Sequence, residues 1–370
     1  FHAAAHPRQL RPRPLALHPL GWGAVTTRPF FAARLEERFD RWVERLLRSI
    51  GWRERVICYT GYGTGSTLRV LGRVVLGPNR ATSSLARATE DFVKRRGFRN
   101  FFTVPCVRAP VYIGVGGHTV QTVTDRGGYI DHRVRDHGLQ PGWQTIDMIS
   151  RDSKRSRADV HVVADDQTFG LLSDIDDTII TTLLPRPMIA FWNSFIRDEA
   201  ARQAIPGMAR LYQAVLTAHP GAPVIYLSTG AWNTHDFLAR FLKRHSYPHG
   251  PMLLTDWGPT NTGWFRSGSA HKRSTLLQLT RDFPNIRWLL VGDDGQHDVE
   301  LYAEFARIAP DRVRAMAIRQ LSPAEMLLAH GPIPPPSDEG GMPPEVPLVA
   351  AADGRGLLAQ LRAVPGILQD

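Results

Sequence analysis

From Phe169 onward, short apolar runs alternate with longer segments whose apolar residues recur at helical spacing. This pattern predicts strands at 168–173, 223–228, 252–255, 286–291 and 313–318. It predicts helices at 206–217, 232–245, 271–282 and 298–308. Such alternation is typical of an α/β fold with a mostly parallel sheet covered on both faces. A last strand at 346–351 and a last helix at 357–361 are predicted beyond the Pro/Gly-rich segment 330–347.

Residues 51–165 show a different pattern, in which short β-favouring runs are separated by glycine-containing turns. The predicted strands are 55–59, 67–76, 110–115, 118–124, 144–149 and 159–163, with a helical insert near 83–96. Turn signals about ten residues apart are typical of a small sandwich. The sequence therefore predicts a smaller β-sandwich-like domain in front of an α/β domain at 166–370.

Residues 33–50 form a predicted amphipathic helix, with apolar side chains on one face and arginines elsewhere. Aromatic residues opposite arginines suit a helix at a membrane surface. The interspersed acidic residues favour the alternative, a helix packed on the neighbouring domain. Residues 1–32 are rich in Pro, His and Arg and are predicted to be a disordered extension; a transit peptide is the weaker alternative.

The net charge of +10 is unevenly distributed along the 370 residues. Residues 1–165 hold 27 Lys and Arg against 14 Asp and Glu, whereas the remainder holds 18 against 21. Clustered arginines are attracted to an anionic membrane or to nucleic acid. An Arg-rich composition inherited from a GC-rich genome explains the count almost as well. We expect an anionic membrane surface as a partner and do not expect nucleic acid.

Compartment signals are few. There is no run of eighteen apolar residues, no visible signal peptide, and no cysteine framework beyond Cys58 and Cys106. Two buried thiols are favoured over a disulfide. These features predict a cytoplasmic protein that binds membranes peripherally.

Two carboxylates, Asp174 and Asp176, follow the first strand of the α/β region. Spaced i, i+2 at a carboxyl end, they lie on the edge of an open sheet where ligands bind. Two carboxylates held close together repel each other and usually need a cation. The arrangement predicts a magnesium-dependent phosphoryl-transfer site. Asp174 would be the nucleophile and Asp176 the general acid and base, while Thr178 holds the loop.

Three later residues fit the same chemistry. Ser228 ends a strand, where its hydroxyl can bond a phosphoryl oxygen, and Lys272 can neutralise charge on the transferring group. Asp293 can complete an all-oxygen metal site with Asp174 and the backbone carbonyl of Asp176. Alone, each of these is an ordinary strand-end, surface or turn residue. All of them in order, mostly at predicted strand ends, make coincidence improbable.

Four other residues near these motifs are interpreted as structural rather than catalytic. His271 and His297 are interpreted as structural or substrate-edge residues, because Asp176 already supplies acid–base chemistry. Trp232 and Asn233 are interpreted as packing and capping residues of the following helix.

These motifs resemble the four-motif set of the haloacid dehalogenase superfamily. More narrowly, SDIDDTI, YLSTGAWN, LLTDWGP, HKRSTLLQL and VGDDGQHDVELY resemble the catalytic domain of the actin-patch-associated phosphatidate phosphatases, which is similar in its motifs to the lipins. The resemblance covers roughly 169–320. It implies a Rossmann-like three-layer fold and Mg²⁺-dependent hydrolysis of phosphatidate to diacylglycerol. Two departures are STGAWN, where many relatives have a proline-containing serine-rich segment, and Asp294, where a small hydroxyl residue is common.

Motif spacing adds a prediction about the substrate. About fifty residues separate Thr178 from Ser228 and about forty separate Ser228 from Lys272, little more than strand–helix units require. A small cap leaves a site open to bulky or membrane-held substrates. The leading hypothesis is a phosphatidate phosphatase. The alternatives are a phosphatase for phosphoproteins or soluble phosphomonoesters, and an inactive scaffold.

Overall fold

The computed structural model describes residues 45–49, 51–77, 104–181, 203–255, 268–295, 298–330 and 345–368. Residues 45–49 are helical, in agreement with the end of the helix predicted at 33–50. The predictions for 1–32, for the insert at 83–96 and for most of 330–347 lie outside the described residues. So do most of the segments that would form a cap.

The division into two domains stays a prediction, and the first of the predicted domains is a β-structure built on one continuous sheet. Its strands are β1 Arg53–Thr64, β2 Thr67–Gly77, β3 Val104–Pro105, β4 Pro110–Val115, β5 His118–Val123, β6 Tyr129–Arg135, β7 Gly142–Ser150 and β8 Ser156–Val163. They run in the order β3-β2-β1-β8-β7-β4-β5, and β6 pairs with β2. The sheet curls until β5 approaches β6, enclosing an apolar core. The sequence predicted a sandwich-like domain, whereas all these strands belong to one curled mixed sheet.

Strand β6 was missed by the sequence analysis because its residues are mostly polar. Only Ile130 and Val134 face the core. Asp131 instead accepts a bidentate pair from Arg69 of β2, at 2.7 and 2.8 Å, and Arg133 pairs with Asp282. Two apolar positions are too few for alternating hydropathy to predict a strand. On the other face of β6, ion pairs take the place of apolar contacts.

The second domain contains a six-stranded sheet whose neighbouring strands are all parallel. Its strands are β9 Phe169–Asp174, β10 Val224–Ala231, β11 Met252–Thr255, β12 Arg287–Asp293, β13 Val313–Arg319 and β14 Leu348–Ala351. Its helices are α1 Met208–Ala218, α2 His235–Arg244, α3 Gly268–Asp282, α4 Asp298–Ile308, α5 Pro323–His330 and α6 Gly354–Leu361. The strands and helices predicted for this region are confirmed, with small shifts at their ends.

Helices cover both faces of this sheet because successive strand residues point to opposite sides. Leu171 and Leu289 pack in an apolar cluster with α1, α2 and α6, whereas Leu172 and Leu290 pack in a second cluster with α3 and α4. The strand order is β11-β10-β9-β12-β13-β14, so the chain changes direction across the sheet between β9 and β12. Ligands bind beyond the carboxyl ends of the strands at such a switch point.

The two domains share the apolar cluster on the α3 side of the sheet, to which β1 contributes Tyr59 and Tyr62. The Tyr62 hydroxyl donates to Asp282 at the end of α3, at 3.0 Å. Tyr59 stacks on Trp232 with ring centroids 4.4 Å apart, immediately after the end of β10. The first domain therefore supports the segment that follows Ser228.

Two smaller expectations concern thiols and membrane spans. Cys58 and Cys106 are free thiols; Cys106 is buried as predicted, whereas Cys58 is only partly buried, and this burial raises the pKa of Cys58 to about 12. Among the described helices, none combines the length and apolar character needed to cross a bilayer.

Candidate active site

Three buried carboxylates converge at the switch point of the parallel sheet. Asp174 is the last residue of β9, Asp293 is the last residue of β12, and Asp298 is the first residue of α4. One oxygen from each lies within 4.8 Å of the others. Sequence analysis selected Asp174 and Asp293 as metal ligands but did not assign Asp298. The available signal was its position at the start of a helix, one turn after the Gly292-Asp293 strand end.

Lys272 bridges two of these carboxylates. Its Nζ lies 2.5 Å from Asp174 Oδ1 and 2.6 Å from Asp298 Oδ1, and the side chain is buried. Burial lowers the pKa of Lys272, but the two adjacent carboxylates outweigh this and raise it above its ordinary value. Lys272 is therefore a permanent ammonium, as expected for a group that neutralises charge on a phosphoryl group.

An ion pair usually lowers the pKa of its carboxylate, but the pKa values of Asp174 and Asp293 are raised. Burial raises the pKa of Asp174; Lys272 lowers it, and Asp298 and Asp293 raise it further. Burial and Asp298 likewise raise the pKa of Asp293 to about 8, against the opposing charge of Lys272. One ammonium thus does not balance the negative charge of three ionised carboxylates.

The oxygen atoms of this cluster fit a divalent cation. Asp174 Oδ2 and Asp298 Oδ2 are buried and have no hydrogen-bond partner among the described residues. Buried carboxylate oxygens without partners are costly, and hard oxygen donors are what Mg²⁺ prefers. Asp293 Oδ2 has only a long contact, 3.4 Å from Thr178 Oγ1, while its Oδ1 accepts from Gly295 N at 2.8 Å.

Asp176 lies apart from the carboxylate cluster and interacts with Ser228. The Ser228 hydroxyl donates to Asp176 Oδ2 at 2.8 Å and accepts from Gly230 N at 2.9 Å. The Asp176 side chain is thus engaged with Ser228 and is not among the three carboxylates that lie within 4.8 Å of one another, and a role for its backbone carbonyl stays a prediction. Ser228 was predicted to bond a phosphoryl oxygen, whereas in this arrangement its proton is directed at Asp176.

The loop that carries Asp176 is a compact turn beyond β9. Ile179 N donates to Ile175 O at 3.0 Å, and Asp177 N donates to Ile180 O at 2.9 Å. Asp177 has a positive φ of 58°, a conformation that residues with a side chain adopt infrequently. Such a backbone persists only where its surroundings enforce it.

Gly292, near the end of β12, has no room for a side chain. A Cβ on Gly292 would lie 2.9 Å from Asp298 Oδ2 and 2.8 Å from a ring carbon of Tyr302. Only glycine lets α4 bring Asp298 this close to the strand. Asp294, noted above as a departure from the family pattern, lies outside the carboxylate cluster, and its Oδ1 accepts from Leu321 N at 2.8 Å. This contact fixes the loop after β12.

Trp232, predicted to pack beside helix α2, does so between the domains, against Tyr59 and near His235. His271 lies within the first turns of α3, one residue before Lys272. His297 lies outside the described residues.

Comparison with known proteins defines the class to which this segment is similar. Residues 169–320 match the family model described as "Phosphatidate phosphatase APP1, catalytic domain". The resemblance predicted from the motifs is confirmed for this segment, which contains the assigned catalytic and metal-binding candidates. The match supports a phosphoric monoester hydrolase; membership of the haloacid dehalogenase superfamily stays a prediction.

Two curated relatives match nearly the same region. Phosphatidate phosphatase APP1 of Saccharomyces cerevisiae is 33% identical over 156 residues, which cover 40% of this chain and 25% of the relative. An uncharacterized protein of Schizosaccharomyces pombe is 25% identical over 160 residues, covering 43% and 26%. The chain thus spans about a quarter of the length of these relatives.

Among solved structures, a carbohydrate acetylesterase from Xanthomonas citri is 9% identical with a TM-score of 0.29, covering 84% of this chain and 75% of that chain. A TM-score this low carries no argument about fold or activity.

Proposed function

We propose that this protein is a Mg²⁺-dependent phosphatidate phosphatase that releases diacylglycerol and phosphate. The observation that carries the proposal is the buried cluster of Asp174, Asp293 and Asp298 bridged by Lys272 at the switch point of a parallel sheet. Similarity of 169–320 to a phosphatidate phosphatase catalytic domain selects the substrate. A fold like that of the haloacid dehalogenases is part of the same proposal.

The proposed reaction uses Asp174 as the nucleophile. One of its carboxylate oxygens forms a bond to phosphorus while the bond from phosphorus to the glycerol oxygen breaks. Asp176 gives that oxygen its proton, and Ser228 holds one Asp176 oxygen so that the other can carry the proton. Asp176 then removes a proton from water, whose oxygen attacks phosphorus, releases Asp174 and forms inorganic phosphate.

Charge is balanced by Lys272 and by a cation held by Asp174, Asp293 and Asp298, with the Asp176 carbonyl as a further proposed ligand. When bound, Mg²⁺ supplies positive charge that offsets the charge of the phosphoryl oxygens. The ammonium of Lys272 is fixed between two carboxylates before substrate arrives, so its orientation costs no reorganisation during the reaction.

The basic first part of the chain is proposed to hold the protein peripherally on an anionic membrane, on the cytoplasmic side. Residues 1–165 carry 27 basic against 14 acidic residues, and clustered positive charge is attracted to anionic lipid surfaces. This placement would bring the site to its lipid substrate.

The proposal is tested by phosphate release from phosphatidylcholine vesicles containing phosphatidate, with Mg²⁺ or with EDTA. We expect Mg²⁺-dependent release, and less vesicle binding as salt is raised. Faster turnover of a soluble phosphomonoester or a phosphoprotein would replace the lipid assignment with another phosphatase. Absence of metal-dependent release from every ester in the panel would favour an inactive scaffold.

The stabilising effect of Mg²⁺ should grow with pH. The folded-state pKa of Asp293 is raised to about 8, far above its unfolded value. The metal-free fold therefore binds a proton that the unfolded chain has lost, and stability declines as pH rises through about 8. A cation removes this penalty. We expect the Mg²⁺-induced rise in Tm to be larger at pH 8 than at pH 6.

The matched variant for this measurement is Asp293→Asn, which has no titrating carboxyl at that position. Its Mg²⁺-induced shift should be smaller and should depend less on pH. An equal shift at both pH values in the native protein would contradict metal binding at this cluster.

A further inference from the structure

We propose that Arg319 is a positioning residue that sets the orientation of the Asp176 general acid through the backbone of Asp177; this inference rests on the proposed function. Arg319 ends β13 and is 4% exposed. Its Nη1 donates to the carbonyl oxygen of Asp177 at 2.7 Å. Arg319 was not selected by any motif, since a strand-end arginine has no chemical signature in sequence.

Arg319 ties together three segments around the site. Its Nε donates to Ala352 O, after β14, at 3.2 Å, and its Nη2 contacts Glu325 Oε1 of α5 at 2.5 Å. In the parallel register it lies directly beside Asp293, and its own carbonyl accepts from Asp294 N at 3.0 Å. One residue thus connects the loop after β9 with the loop after β12.

The guanidinium is itself fixed by its partners. Glu325 accepts through its other oxygen from Ser322 N at 2.8 Å and Ser322 Oγ at 2.9 Å, which caps the start of α5. Because the counter-ion is held by a helix end, Arg319 has one orientation. A planar guanidinium can serve three partners at once, whereas an ammonium of lysine cannot reproduce that geometry.

A change at Arg319 would reach Asp176 through the strained turn that contains Asp177. Asp177 has a φ of 58°, and the peptide that joins it to Thr178 is held by the Arg319 hydrogen bond to the Asp177 carbonyl. Asp177 N also donates to Ile180 O. Releasing the Asp177 carbonyl would let the backbone of Asp177 turn toward a more favourable conformation. The adjoining Asp176 would then move, and its side chain would leave its place beside Ser228.

The test exploits the difference between good and poor leaving groups. A general acid is needed to expel an alkoxide but hardly needed to expel 4-nitrophenolate. The leaving group departs in the first step, before Asp176 acts as a base, so the first turnover at saturating substrate is the measurement. We expect Arg319→Lys to lower the first-turnover release of diacylglycerol from phosphatidate about 30-fold and that of 4-nitrophenolate about 3-fold or less, with little change in KM. Arg319→Met should show the same difference more strongly if it folds.

The control is Arg314→Met, on the same strand. The Nε of Arg314 donates to Gly366 O at 3.3 Å, away from the loops after β9 and β12. It should retain native kcat on both esters. Equal first-turnover losses on the two esters in Arg319→Lys, or native kinetics, would overturn the positioning role. If the native protein hydrolyses neither ester, the proposed function fails instead, so the two failures are distinct.

Discussion

Asp174→Asn is expected to reduce Mg²⁺-dependent phosphate release by roughly 10⁴-fold or more while the protein stays folded. The substitution keeps the shape of the side chain but removes the nucleophilic oxygen. It also removes a buried carboxyl whose pKa is raised by burial and by Asp298 and Asp293, against the opposing charge of Lys272. Unfolding in urea with EDTA should therefore show no loss of stability, and steady-state phosphate release should show the loss of activity.

The matched control is Asp294→Asn, a nearby carboxylate outside the cluster. Its Oδ1 accepts from Leu321 N, a contact that an asparagine oxygen can also make. This variant should retain activity within about threefold of native, as is usual for substitutions that preserve local contacts. Substantial turnover by Asp174→Asn would exclude Asp174 as the nucleophile.

Lys272→Met is expected to have the second largest effect, because it removes a cation enclosed by carboxylates. Asp174 and Asp298 each lose a partner at 2.5 and 2.6 Å, which leaves buried negative charge uncompensated. Removing one partner of a buried ion pair typically costs about 3–5 kcal/mol. Loss of the fixed positive charge should also lower kcat about 10²–10³-fold.

The destabilisation by Lys272→Met should depend on pH. In the native protein Lys272 lowers the pKa of Asp174, so the variant raises that pKa further. A raised folded-state pKa means that stability is retained when the carboxyl is protonated and is lost as pH rises. Urea unfolding in EDTA should therefore show a smaller difference from native at pH 5.5 than at pH 8.

Arg273→Met is the control for Lys272→Met. Arg273 is the next residue of α3, exposed, and paired with Glu304 at 2.6 Å. Exposed ion pairs contribute little, so stability and kcat should stay close to native. If the two variants behaved alike, the buried position of Lys272 would have no special role.

Periodicity predicted the α/β domain well because its strands are buried on both faces and read as continuous apolar runs. Strand β12, predicted at 286–291 and observed at Arg287–Asp293, and helix α4 are examples whose bounds were nearly right. The β-rich domain was predicted less completely. Strand β6 pairs with β2, and its polar side chains form ion pairs with Arg69 and Asp282. These partners are far away in sequence, so a local pattern cannot contain them.

The candidate site divides in the same way. Asp174, Asp176, Ser228 and Asp293 were selected because they follow or end predicted strands, and the carboxyl ends of parallel strands meet at one edge of a sheet. Their roles stay predictions, and Ser228 lies three residues before the end of β10, Val224–Ala231. Asp298 was not assigned a role, and Arg319 was missed. Their positions depend on how α4 packs against Gly292 and on the parallel register between β12 and β13.

The amino-acid sequence by itself determined the alternation of most strands and helices after residue 166, the strand-end carboxylates and the excess of positive charge in residues 1–165, since each depends on residue type and local spacing. The tertiary structure alone decided that Lys272 bridges Asp174 and Asp298, and that Ser228 donates to Asp176. Those contacts join residues 26 to 98 positions apart, so they form only when the packing of helices on the sheet sets interatomic distances.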